Sequence, residues 1–241
     1  MICVRTHNVN GGSPSAVKKG CIGMIEIKSI MLGELGANCY VITDRATGDT
    51  AVIDPGAYNA RLDSIIKEIG YDKVKYVLLT HGHFDHIGGV NEVVSGSGGK
   101  ARVAIGRADI PMLTDSMKNL AYPFSMTTLD PIKHDISLDD NDKIMLGESE
   151  ITVINTPGHS KGSVCFLCGD SLFTGDTLFA GSAGRTDFPG GSYREMKNSL
   201  ARLAALKGDY KVYPGHDRAS TLQRERESNI YITGVDYDSI Y

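Results

Sequence analysis

The chain has 241 residues, 41% hydrophobic and 22% charged, and its 25 Lys and Arg against 29 Asp and Glu leave a formal net charge of −4. That length can bury a substantial core without disulfides or a structural metal, and five cysteines at scattered spacings do not make a disulfide framework. Mild acidity with no window dense in Lys and Arg excludes nucleic acid as a partner, and the lack of an apolar run of about 18 residues excludes a membrane-spanning helix.

Residues 1–23 are polar, rich in Gly and Ser and without periodicity. They are expected to be a disordered leader or a mis-assigned start, with a single domain over 24–241. The stretch Asn8-Val9-Asn10-Gly11-Gly12-Ser13 is too polar for a signal peptide, so the expected location is cytoplasmic. From Met24 onward, apolar alternation predicts strands over 25–31, 38–43 and 50–54. Leu62, Ile65, Ile66 and Ile69 share one helical face and predict a helix over 60–69. A buried strand over 74–80 follows, then a helix over 87–95 and a strand over 101–105. In the second half, strands are predicted over 143–146, 151–155, 163–168, 171–174 and 210–213. Ser192 with Glu195 three residues on reads as a capping box for a helix carrying Met196, Leu200, Leu203 and Ala204 on one face. A last helix is predicted over 219–228. Two β-rich halves with helices between them predict an α/β sandwich.

The densest chemistry is Thr80-His81-Gly82-His83-Phe84-Asp85-His86-Ile87-Gly88-Gly89, directly after a predicted buried strand. Three of the seven histidines and an aspartate stand within six residues. In an extended segment, i and i+2 point to the same side, so His81 and His83 can grip one ion. Asp85 and His86 open a helical turn and can face a second position. Imidazole and carboxylate suit Zn²⁺, Fe or Mn²⁺. Gly88 and Gly89 are read as letting the helix start pass close to the metals.

Three more candidates stand just past predicted strands, each beside a glycine: His159 after 151–155, Asp176 after 171–174 and His216 after 210–213. Counting then works for two ions. His81, His83 and His159 would hold one; Asp85, His86 and His216 the other; Asp176 would bridge. A bridging hydroxide completes about five positions at each ion, which describes a catalytic site, dinuclear or mononuclear, rather than a closed structural one.

These residues resemble the metallo-β-lactamase superfamily, whose signature is T-H-x-H-x-D-H followed by isolated His, Asp and His. The likeness extends over about residues 25–230 and implies a four-layer αβ/βα sandwich. His86 and the bridging Asp176 in Gly175-Asp176-Thr177 resemble the glyoxalase II branch; true β-lactamases of the superfamily lack the bridging Asp here. The resemblance implies two divalent metal ions, zinc first with iron or manganese as alternatives. It also implies hydrolysis of a thioester of a small hydroxyacid by a metal-bridging hydroxide that Asp85 orients. Arg185, nine positions after Asp176, corresponds to a basic residue that touches glutathione in that branch and would hold an anionic part of the substrate. Asp54 would support the site from beneath. Asp187 and Arg218 stand where glyoxalase II has aromatic residues, and its helical C-terminal extension has no counterpart before Tyr241. The shorter, single-domain glyoxalase II-like hydrolases are therefore the nearer match, acting as monomers or small homo-oligomers on a small-molecule thioester. The alternatives are a mononuclear-iron persulfide dioxygenase, a lactone or phosphodiester hydrolase on the same fold, and a non-catalytic metal-binding module.

Other chemistry-bearing residues have structural readings. Cys165 and Cys168 lie in one predicted strand, where i and i+3 face opposite ways, so they cannot share an ion. With Cys39 they read as buried structural cysteines. Cys3, Cys21 and His7 belong to the leader. His134 reads as a loop histidine and Lys161 as a solvated loop lysine. Arg224-Glu225-Arg226-Glu227 reads as a solvent-facing helix surface.

Overall fold

The computed structural model describes residues 25–234. The expected leader over 1–23 lies outside the described residues. The first six-stranded sheet follows chain order. β1 (Ile25–Leu32), β2 (Ala37–Asp44) and β3 (Thr50–Ile53) are antiparallel. After helix α1 (Ala60–Ile69), β4 (Val74–Leu79), β5 (Arg102–Gly106) and β6 (Ile136–Leu138) add in parallel. Between β4 and β5 run α2 (Phe84–Ile87) and α3 (Val90–Gly96); α4 (Ala121–Ser125) precedes β6.

The second half contains β7 (Lys143–Leu146), β8 (Ser149–Asn155), β9 (Val164–Cys168), β10 (Ser171–Gly175) and a small hairpin of β11 (Leu178–Phe179) and β12 (Ser182–Ala183). Then come α5 (Tyr193–Ala204), β13 (Lys211–Pro214), β14 (Ser220–Thr221), α6 (Leu222–Ser228) and α7 (Ile230–Thr233). Its six-stranded sheet has the order β14-β13-β10-β9-β8-β7.

Side-chain alternation assigns each strand face to a layer. Cys39, Val41, Val77 and Leu79 point outward to Leu62 and Ile66 of α1 and Val90 and Val93 of α3. Their neighbours Tyr40, Ile42 and Leu78 point inward to meet Val153, Phe166 and Phe173 between the sheets. On the far side, Cys165, Leu172 and Val212 meet Met196, Leu200 and Leu203 of α5. The result is the expected four-layer sandwich of helices, sheet, sheet and helices. Cys165 faces the helices and Cys168 the inter-sheet core, as strand geometry requires.

Most predicted elements form within a residue or two of their expected bounds. α1 spans the expected residues, capped by Asn59, whose side chain accepts from the Arg61 and Leu62 amides. The single helix expected over 87–95 is instead two, broken at Gly88–Gly89. A Cβ on Gly88 would lie 2.4 Å from the Gly56 carbonyl oxygen, and one on Gly89 would lie 2.6 Å from the Ala57 carbonyl carbon. These glycines therefore seat the helix on the loop behind Asp54, not on the histidine cluster. The stretch Arg107–Leu113, α4 and β6 carried no sequence expectation; Pro111 and Pro123 interrupt any helical period there.

The capping box forms by half. The Ser192 hydroxyl accepts from the Glu195 amide, but the Ser192 amide donates to the Gly158 carbonyl at 2.8 Å, tying α5 to the His159 loop. The expected solvent-facing surface over 224–227 is also corrected. Glu225 is fully buried and accepts from the Gly181 amide at 2.7 Å and the Asn229 side chain at 2.8 Å. Arg226 donates to the Ala204 carbonyl at the end of α5. Charge alternation alone does not reveal a carboxylate that a distant loop, here at Gly181, covers and needs. No helix among the described residues is long and apolar enough to cross a membrane.

Candidate metal centre

Every candidate ligand follows the C-terminal end of a strand. β8, β10 and β13 run in the same sense, so the loops after them meet at one edge of the second sheet. The end of β4 joins that edge because the Val164 amide donates to the Thr80 carbonyl at 2.8 Å. This rim holds all seven residues singled out as ligands.

They form two groups. In the first, ring nitrogens of His81, His83 and His159 lie within 4.8 Å of one another, with His83 Nδ1 2.8 Å from His159 Nε2. The second comprises Asp85, His86 and His216, with His216 Nε2 3.2 Å from Asp85 Oδ2 and 3.3 Å from His86 Nε2. Asp176 stands between the groups. Its Oδ2 is 3.5 Å from His159 Nε2 and 3.6 Å from His216 Nε2, while its Oδ1 is 3.4 Å from His86 Nε2. His134 stays apart, in the loop before β6.

The surrounding hydrogen bonds aim the rings. Asp54 accepts from the Thr80 amide at 2.8 Å and the Thr80 hydroxyl at 2.6 Å. With that proton committed, the Thr80 oxygen accepts from His81 Nδ1 at 3.0 Å and leaves His81 Nε2 unprotonated. His86 Nδ1 donates to Asp54 at 3.1 Å, and His159 Nδ1 donates to the Arg185 carbonyl at 2.7 Å. Each bond sets a tautomer whose lone pair points into the cluster. Asp54 spends its oxygens on these donors, so it supports the rings rather than joining them, although it lies within reach of His81 and His86.

Asp109, which sequence reading missed, ties the two halves of the first group together. Its carboxylate accepts from the Gly82 amide at 3.1 Å, the Ser160 hydroxyl at 2.5 Å and the Gly162 amide at 2.7 Å. It therefore joins the His81–His83 segment to the His159 loop. Nothing in its local context, Arg107-Ala108-Asp109-Ile110, signals this, because all its partners are distant in sequence. Gly215 shows how tightly the ligands converge: a Cβ there would lie 2.2 Å from Asp176 Oδ1.

Electrostatics divides the cluster. Burial, reinforced by the charge of His86, holds His81 well below the ordinary imidazole range. Burial and His159 take His83 down to about 3. In the other half burial again opposes charge on His86, but Asp85, Asp176 and Asp54 outweigh it and raise His86 to about 10. Burial would raise the Asp85 carboxyl, yet His86 and His216 hold it well below the usual carboxylate range. One half thus presents neutral lone pairs, and the other presents carboxylates that call for positive charge. Four buried side-chain atoms lack a hydrogen-bond partner among the described residues, and three of them are His81 Nε2, His83 Nε2 and Asp176 Oδ1. Buried polar atoms left so are costly, and divalent cations fit this set of nitrogen and oxygen donors.

A cavity of about 560 Å³ opens onto Asp85, His159, Asp176 and His216. Its outer walls carry Leu35, Phe84, Phe124, Phe179 and Phe188. Arg185 also lines it, with a guanidinium 4.0 Å above the Phe188 ring and in a bidentate pair with Asp187. Lys161 is exposed away from this cavity.

The family model of the metallo-beta-lactamase superfamily matches residues 32–216. The chain belongs to the metallo-β-lactamase superfamily. Within this superfamily of metal-dependent hydrolases it is 36% identical over 214 residues to the uncharacterized protein ML0493 of Mycobacterium leprae, covering 84% of this chain and 96% of that protein. It is 30% identical over 212 residues to hydroxyacylglutathione hydrolase GloC of Haemophilus influenzae, covering 86% and 98%. The BLEG-1 B3 metallo-beta-lactamase superposes with a TM-score of 0.78 at 29% identity, over 87% of this chain and all of that one. TTHA1623, solved in a di-iron-bound form, superposes with a TM-score of 0.72 at 31% identity, over 84% and 98%.

Proposed function

We propose that this metallo-β-lactamase superfamily member hydrolyses the thioester of a small hydroxyacid with two divalent cations, zinc first and iron or manganese as alternatives. His81, His83 and His159 would hold one cation, Asp85, His86 and His216 the other, and Asp176 both. The observation that carries the reading is Asp176, poised within 3.6 Å of nitrogens from both groups at the floor of an open cavity. The name of the GloC relative supports the substrate class, and the di-iron form of TTHA1623 supports two ions while keeping iron open.

When bound, such cations polarise a carbonyl and bring the pKa of water from about 15.7 toward about 7. The chain supplies the rest. Asp54, Thr80 and the Arg185 carbonyl hold three rings in one tautomer each, so no rearrangement is needed during turnover. Asp85 stays ionised and lines the cavity, where it can accept a hydrogen bond from water and orient it. Departure of a thiolate asks little of a general acid, which accords with a cavity lined, among the described residues, by no Lys, Tyr or Cys.

The test is metal analysis of the purified protein, followed by a panel of lactoyl thioesters, lactones and β-lactams. Two ions per chain and thioester turnover are expected, with Asp85→Asn retaining metal but losing at least about a hundredfold in kcat. One iron per chain with oxygen uptake on a persulfide, or β-lactam turnover without thioester turnover, overturns the reading.

A further inference from the structure

The wall above the cluster is apolar and open. Phe84 stacks on Phe124 with centroids 6.3 Å apart, and Phe124 meets Phe188 edge-on at 5.5 Å. Phe188 in turn packs edge-on against His83 at 5.6 Å, so the aromatic row runs from solvent to the ring cluster. Phe124 is 53% exposed and Leu35, which lines the same cavity, 51%. Exposed apolar side chains gathered at the mouth of one cavity, rather than scattered singly, mark a place where an apolar ligand can bind.

Charge points the same way. Among the described residues, Arg185 is the one Lys or Arg lining the cavity. One edge of its guanidinium is engaged, Nε at 2.7 Å and Nη2 at 2.6 Å from the two Asp187 oxygens, and its face lies on Phe188. The remaining charged residue of the outer wall is Asp217. An anionic ligand arm would therefore compete with Asp187 for Arg185 and face the Asp217 carboxylate, whereas an apolar arm would meet aromatic rings and Leu35. Hydrocarbon gains from burial there.

Resting on the reading of this cavity as the thioesterase site, we propose that the thiol half of the substrate is a neutral, apolar group seated on Phe124, Phe188 and Leu35. In place of the anion-holding role expected from the sequence, Arg185 stiffens this shelf through Asp187 and Phe188. The substrate class is thus the thioester of an uncharged aliphatic or aromatic thiol, and a peptide thiol bearing several charges is disfavoured.

The test compares binding of non-hydrolysable thioethers to the purified metal-loaded protein by titration calorimetry. The probes carry methyl, hexyl, benzyl or glutathionyl groups on a common acetonyl sulfide. Hexyl and benzyl are expected to bind at least tenfold tighter than methyl. Phe124→Ala and Leu35→Ser, both at exposed positions, are each expected to shrink the hexyl-to-methyl and benzyl-to-methyl affinity ratios at least threefold. The glutathionyl probe is expected to gain less than threefold over methyl, with no loss in Arg185→Ala. A gain below tenfold for both apolar groups overturns the proposal, as does an Arg185-dependent gain of tenfold or more for glutathionyl. Tight hexyl and benzyl binding without hydrolysis of the matching lactoyl thioesters would sink the thioesterase reading alone. Hydrolysis indifferent to the thiol would sink the apolar shelf alone.

Discussion

Asp54 Oδ2 lies 3.1 Å from His86 Nδ1, and both residues are buried. The same oxygen accepts the Thr80 hydroxyl, whose lone pair in turn holds His81. One carboxylate therefore sets the tautomer of a ring in each half of the cluster. Its backbone has a φ of 49°, in the left-handed region that asparagine also tolerates. Asp54→Asn should accordingly keep the fold but lose the acceptor for His86. Metal affinity is expected to fall by about ten- to hundredfold, read by competition with a chromophoric chelator. Unchanged affinity would show that the ring is held without Asp54.

Asp109 makes a separable prediction. An asparagine offers one acceptor oxygen where the carboxylate serves the Gly82 amide, the Ser160 hydroxyl and the Gly162 amide. Asp109→Asn should cost about 1–3 kcal/mol in denaturant unfolding, the penalty for a buried donor left unpaired. The pH dependence has a definite sign. Burial raises the Asp109 carboxyl above its usual range, even though Ser160, Gly162 and Gly82 pull the other way. A carboxyl raised on folding contributes stability that is complete below its unfolded value of about 3.9 and is lost as pH rises through the folded value. The stability of the native chain relative to Asp109→Asn should therefore be greatest near pH 3.5 and narrow as pH climbs, and widening with pH would contradict the assignment.

Gly215 has no room for a side chain. With a Cβ built 2.2 Å from Asp176 Oδ1 and 2.9 Å from His86 Cε1, Gly215→Ala must displace one of them. Metal content is expected to drop below that of the native chain and turnover to fall more than about tenfold. Since the strain is confined to the rim, far-ultraviolet circular dichroism should stay native. Full metal content in this variant would mean that the rim is looser than drawn.

Chelation should act on stability as well as activity. Asp85, Asp176 and Asp54 all face His86, and removing a cation leaves these carboxylates to be balanced by a proton. A ligand held a thousandfold above its Kd stabilises by about 4.1 kcal/mol. Stripping the metal should thus lower Tm by several degrees and restoring zinc, iron or manganese should recover it, the largest recovery marking the preferred ion. No thermal shift with any of the three would count against a metal centre.

The strand alternation around Cys39–Ile42 and Cys165–Cys168, the period of α1 and the compact His81–His86 tract were legible because each is local: neighbouring residues alone decide which way they point. The seven candidate ligands could be named for the same reason, since each follows a strand and stands beside a glycine or a like residue. What local pattern could not supply was partnership across the chain. Glu225 looked solvent-facing until the Gly181 amide, 44 residues away, was seen to need its oxygen. Asp109 looked like any acidic residue until Gly82 and Gly162, from opposite sheets, converged on it. Gly88 and Gly89 stand beside the ligands in sequence but serve the packing against Gly56 and Ala57. That Arg185 can form a surface salt bridge is legible in the sequence, but that Asp187 is its partner depends on the guanidinium folding back over Phe188. Sequence determined the donor atoms and the strands that carry them. Tertiary structure decided which buried groups compensate one another, because burial and distance, not chain order, set the energy of a charge or a hydrogen bond.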